Sequence, residues 1–76
     1  MIAEDTRERF DTRHGKPFDR GSADSWYHRP FNPHYGGVGG DSGSRVELAD
    51  MTVDEIVAYT AGYNWNEQYG GKKSWD

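Results

Sequence analysis

"MTVDEIVAYTAGYNWNE", residues 51–67, holds the clearest helix start in the chain. Thr52 followed three residues later by Glu55 is a capping box: the hydroxyl accepts from the N–H of the third helical residue, whose carboxylate reaches back to the cap N–H. Met51 before the cap and Ile56 beyond it form the apolar pair that staples a helix entry. Val53, Ile56, Tyr59, Thr60 and Tyr63 then recur at helical spacing. The pattern predicts a helix over 53–67 with Tyr59 and Tyr63 turned to the core. Gly62 in its interior costs about 1 kcal/mol relative to alanine, which asks for a packing reason. With Ala58 and Ala61 it offers a shallow surface on which Trp26 or Tyr27 can lie.

Upstream, "FDRGSADSWYHRPFNPHYGG" (18–37) opens a second helix. Asp19 is a candidate N-cap, and Ala23, Trp26 and Tyr27 follow at i, i+3, i+4 before Pro30 forces a stop. A short helix over 20–29 with Trp26 in the core is expected. The two prolines of "RPFNPHY" favour extended or turn backbone, from which Phe31 and Tyr35 fold back onto that helix. "GGVGGDSGS" (36–44) reads as a Gly/Ser linker, "RVEL" as a brief extended piece and residues 70–76 as a flexible tail ending near Trp75. Residues 1–17 lack a hydrophobic period and are punctuated by Gly15 and Pro17. The expected architecture is mainly α. It comprises a charged, flexible N-terminal arm (1–17) and a small two-helix domain (18–76), with antiparallel helices, a Pro/aromatic extended segment closing one side and a Gly-rich connector.

A chain of 76 residues forms one domain at most, and a domain of that size buries only about 60% of its unfolded surface. The absence of cysteine removes disulfides as reinforcement and fits a reducing compartment. Aliphatics are few, yet eleven residues are Phe, Trp or Tyr, so large rings build the core, an interface, or both. No apolar run approaches the roughly 20 residues of a membrane span, and the opening "MIAEDTRERF" has no hydrophobic leader segment. Neither membrane insertion nor secretion is expected. The net charge of −4 is spread over the chain, without the one-signed basic stripe that phosphate backbones prefer.

Candidate chemistry is sparse. His14, His28 and His34 lack metal-ligand spacing, so no metal site is expected. Ser22, Asp24, Ser25 and His28 sit on one short helix, where nucleophile, base and oxyanion donors cannot surround one substrate atom. "GGKKS" lacks the full phosphate-loop pattern. The residues therefore point to a non-enzymatic, cofactor-free binding module. Arg20 and Arg29 interleaved with Trp26, Tyr27, Phe31 and Tyr35 resemble a single-strand platform, which keeps nucleic acid as a second partner class.

The blocks "DRGSAD", "RPFNPH", "AGYNWNE" and "KKSW" resemble a family of small phage proteins of unassigned activity, including ones from marine cyanophages. Its pattern is a YDRGSADxYYxRPxxPHY block, a Gly-rich spacer, LTPEExxxYxxGYxxNE and a terminal KKxW. The likeness covers about residues 17–76 and implies phage origin and action in a bacterial host's cytoplasm. A fainter likeness, through "RGSADSWYHR", "NPHY" and "AGYNWNE", is to ribosome modulation factor, a strongly basic family from which this acidic chain departs in charge. The expected function is a phage accessory protein that binds and modulates a host macromolecule, most simply a protein complex. RNA or ribosome binding and a minor virion role are the alternatives. The expected contact residues are Arg20, Arg29, Tyr35, Trp65 and Trp75, at helix ends, connector and tail.

Overall fold

The computed structural model describes residues 10–36 and 45–74. Helix α1 spans Pro17–Trp26 and helix α2 spans Val53–Trp65. Between them lie two short antiparallel strands, β1 (His34–Tyr35) and β2 (Val46–Glu47), with His34 opposite Glu47 and Tyr35 opposite Val46. A 3-10 turn (Leu48–Asp50) leads into α2, and a wider π turn (Asn66–Gly70) follows it. The two extended segments read from the prolines and from "RVEL" thus pair with each other. The linker over 37–44, the N-terminal residues 1–9 and Trp75 lie outside the described residues.

Helix α2 begins as its sequence predicts. The Thr52 hydroxyl accepts from Glu55 N–H at 3.1 Å, and the Glu55 carboxylate accepts from Thr52 N–H at 2.8 Å. Such a cap is worth about 1 kcal/mol. Glu55 also accepts from the Tyr35 hydroxyl at 2.6 Å, which ties β1 to the first turn of α2. That bond, then the Thr52 N–H, lowers the Glu55 pKa, and the same contact raises that of Tyr35.

Helix α1 starts earlier than expected and presents a different face. Pro17 occupies its first turn, where a missing N–H costs nothing. Asp19 is therefore not the cap; from the third helical position its carboxylate accepts the Gly15 N–H at 2.9 Å. The buried positions are Pro17, Phe18, Gly21, Asp24 and Ser25. Trp26, expected in the core, is 39% exposed, as is Tyr27. The i, i+3, i+7 row that faces α2 runs through Phe18, Gly21 and Ser25, so Trp26 falls on the flank. Tyr59 is fully buried, and Tyr63 is half-buried beside it.

The packing reason for Gly62 is main chain rather than Trp26 or Tyr27. A Cβ at Gly62 would come within 3.0 Å of the Phe18 carbonyl group, and one at Gly21 would meet the Tyr59 carbonyl and the Tyr63 nitrogen as closely. The two helices therefore cross backbone against backbone through a reciprocal pair of glycines. Near the crossing, Phe18 packs on Trp65, Asp24 bonds Tyr59 and Ser25 bonds Asn66. Phe18–Trp65 and Asp24–Tyr59 run in the antiparallel sense expected, and Ser25–Asn66, beyond the end of α2, departs from it. Around the crossing, Phe10 stacks on Phe18 at 5.7 Å, and Phe31 sets its edge against Tyr59 and Tyr63, both at 5.4 Å. The Phe31 ring and the Tyr35 hydroxyl thus engage α2, while β1 itself also lies against α1.

Residues 72–73, within the stretch expected to be a flexible tail, are docked on α1. Helix α1 has no basic residue in its last turn, and its final carbonyls are satisfied from the far end of the chain. Lys73 N–H donates to Trp26 O at 2.8 Å, and the Lys72 ammonium donates to Ser25 O at 3.0 Å. Lys72→Ala removes that bond, a second to Ser25 Oγ and the ion pair with Glu67. Because the group is partly exposed, the expected loss is only about 1 kcal/mol. Hydrogen exchange separates this from a global effect: the Lys73 amide should lose protection while the amides of α2 keep theirs.

Candidate functional site

The end of α1 concentrates the accessible aromatic and basic groups. Asp24 is C3, Tyr27 the C-cap and His28 the C′ residue: Arg29 N–H donates to Asp24 O at 2.7 Å, and His28 N–H to Ser25 O at 3.1 Å. These are the two bonds of a Schellman motif, whose C′ residue is usually glycine because its φ is positive. Here it is His28, at φ 63, the one described non-glycine residue in that region. Its ring nitrogen Nε2 lies 3.0 Å from Lys73 O. A carbonyl only accepts, so Nε2 carries the proton and donates. The docked tail thereby holds a turn that a side chain ordinarily disfavours.

Beyond that turn, the Arg29 guanidinium lies 5.0 Å from the Tyr27 ring centroid, and the Lys73 ammonium 5.9 Å from the same ring. Both are within cation–π range. Arg29 is 57% exposed along its side chain. Trp26 and Tyr27 precede it and Phe31, also exposed, follows. Tyr63 anchors the loop by donating to Arg29 O at 3.1 Å.

Beneath this surface is a polar core. The Tyr59 hydroxyl donates to Asp24 Oδ2 and accepts Asn32 N–H at 3.2 Å. Burial first, and the Asp24 bond second, push the Tyr59 pKa well up, so the phenol stays protonated. His34 Nδ1 donates to Asn32 O at 2.8 Å and stands 3.6 Å from Asp24 Oδ2. Arg29 Nη1 reaches Asp24 Oδ1 at 3.4 Å. This set spends a buried carboxylate on fixing the loop that carries Arg29 and Asn32.

A second cluster joins the helices. Ser25, fully buried, donates to Glu67 Oε2 at 2.6 Å and accepts from Asn66 Nδ2 at 2.9 Å and Lys72 Nζ at 3.2 Å. One donor and two lone pairs are all a hydroxyl has, so Ser25 acts as a structural junction. The Lys72 contact, followed by that of Ser25, lowers the Glu67 pKa. Among the described residues no group of three or more His, Cys, Asp or Glu side chains could hold a metal ion, and no helix is long and apolar enough to cross a membrane.

The sequence-predicted contact residues separate in the structure. Arg29 is accessible at the aromatic surface. Arg20 is only 16% exposed and pairs with Asp19 at 2.9 Å. Tyr35 is half-buried and engaged with Glu55, and Trp65 is half-buried between Phe18 and Tyr69. Trp75 lies outside the described residues. Sequence reasoning named Tyr27 as a contact only as one ring of a nucleic-acid platform and did not select Lys73; the Lys73 N–H bond that holds the tail beside Tyr27 is main-chain and leaves no side-chain pattern. Compared with protein-family models, with curated proteins and with solved structures, the chain matches none.

Proposed function

We propose that this chain is a non-enzymatic phage accessory protein that binds and modulates a protein of the bacterial host. The observation that carries the reading is the exposure of Trp26, Tyr27 and Phe31 together with Arg29 at the end of α1. Tyr, Trp and Arg dominate the energetics of protein interfaces, and exposed apolar rings rimmed by charge mark contact surfaces in small domains. The surface is held by the Schellman turn, the Tyr63 bond and the docked tail, so little ordering remains to oppose association. Burial of Ser25, the central hydroxyl of the one Ser/His/Asp grouping in the sequence, supports a binding role over a catalytic one.

The test is an affinity pulldown from host lysate, with and without nuclease, comparing the natural chain with Tyr27→Ala and Arg29→Ala. A near-stoichiometric host protein that survives nuclease and falls several-fold with either variant is the expected result. Recovery of RNA or ribosomal proteins that nuclease abolishes would put RNA in place of protein as the partner. Copurification with particles alone would make the chain a virion component.

A further inference from the structure

A cleft of ≈ 350 Å³ opens beside the aromatic surface, lined by Asp24, Arg29, Pro30, Asn32, His34 and Arg45. Two guanidinium groups from separate parts of the chain therefore face one small polar space. Each is already engaged within the chain, Arg29 also by the Tyr27 ring, but with only part of its donor set. Arg29 meets Asp24 through a single nitrogen at 3.4 Å, a long contact. Arg45 uses Nε toward Glu47 at 2.7 Å and is 46% exposed. A guanidinium has five N–H donors in a planar fork that matches a two-oxygen acid.

The charge of the cleft selects among such acids. The Asp24 side chain is 4% exposed, with its oxygens turned to Tyr59, His34 and Arg29. Asp24 beside Arg29 and Glu47 beside Arg45 set two negative charges against the two arginines. A singly charged, planar acid can use the remaining N–H donors of both forks while adding one negative charge to this balanced set, whereas a phosphate dianion adds two and meets more repulsion from the two carboxylates. The strained turn contributes placement: with His28 at φ 63, Arg29 leaves the helix beside the cleft instead of continuing the helical path.

We propose that this cleft is a carboxylate-recognition site and takes a glutamate or aspartate side chain of the partner protein. The proposal rests on the binding-protein reading for its partner, but the chemistry of the cleft can be tested alone.

The probe is N-acetyl-glutamate N-methylamide, titrated at constant ionic strength into the full chain and followed by NMR of the arginine Nε–H groups and the Asn32 amide. Saturable shifts at Arg29, Arg45 and Asn32 are expected, without equivalent shifts from the glutamine analogue. Inorganic phosphate should bind more weakly. Arg45→Gln should weaken the glutamate probe by about tenfold, as loss of a charge-assisted bond implies, without moving the urea midpoint. Arg29→Gln, the second variant, should weaken the probe similarly while lowering the urea midpoint, because its guanidinium also meets the buried Asp24 carboxylate. Equal response to the glutamine analogue, tighter binding of phosphate, or shifts indifferent to Arg45→Gln would overturn the proposal. Saturable glutamate binding alongside a failed pulldown would overturn the partner half and leave a site for a free carboxylic acid. A partner captured equally by the natural chain and Arg45→Gln would remove the cleft from the interface while leaving the binding-protein reading intact.

Discussion

Gly62→Ala is expected to destabilise the domain by about 3 kcal/mol or more, although the same change in an ordinary helix interior would add about 1 kcal/mol. Two effects compete at this position. Alanine is the better helix former, but its methyl would come within 3.0 Å of the Phe18 carbonyl group in the facing helix. Backbone cannot swing aside as a side chain can, so the overlap separates the helices and loosens the packing around Tyr59. A 76-residue domain has a total stability of about 4–11 kcal/mol, so the loss is a large share of it. Gly21→Ala should behave alike, because its methyl meets the Tyr59 carbonyl. Urea denaturation of the purified variants decides the matter. A gain near 1 kcal/mol for either would mean that the helices do not cross at these residues.

Tyr59→Phe should cost about 2–3 kcal/mol despite removing a single oxygen. The lost hydroxyl is a donor to the buried Asp24 carboxylate and the acceptor for Asn32 N–H. Its loss leaves both groups underpaired, and the penalty for an unpaired buried carboxylate exceeds the net worth of an ordinary hydrogen bond. A double-mutant cycle with Asp24→Asn isolates the coupling. The phenylalanine change should cost distinctly less when the carboxylate has become an amide. Equal costs in both backgrounds would show that the Tyr59 hydroxyl and Asp24 do not interact.

The two helices differ in how far their sequence revealed them. Helix α2 begins with an exchange between residues three apart, Thr52 and Glu55, and such local chemistry is visible in any sequence. Helix α1 was shifted because apolar size marked Ala23, Trp26 and Tyr27 as the inner face, whereas its buried row includes Gly21, Asp24 and Ser25. Nothing in the composition of α1 says that Asp24 meets a phenol or that Gly21 meets a carbonyl, since both partners lie on α2. Gly62 did signal a packing demand; what it packs against was hidden for the same reason. Among the expected contact residues, the exposure of Arg29 was legible because Pro30 fixed the end of the helix. Arg20, Tyr35 and Trp65 stand near ends and connectors in the sequence, yet each is drawn inward by a partner: Asp19, Glu55 and the Phe18 ring. The tail carried no signal because its docking to Trp26 O uses a main-chain N–H, which every residue except proline possesses, and its Lys72 ammonium reaches Ser25, far away in sequence.

The glycine crossing also sets what a genetic selection would recover. A lesion caused by side-chain crowding can be relieved by a second mutation that trims the neighbour, and suppressor screens often work that way. At Gly21 and Gly62 the obstructing atoms belong to the main chain of Tyr59, Tyr63 and Phe18, and no codon change at those neighbours deletes a carbonyl. Intragenic suppressors of Gly62→Ala should therefore be global stabilisers scattered over the domain, and restored wild-type packing at the crossing should arise only by true reversion to glycine.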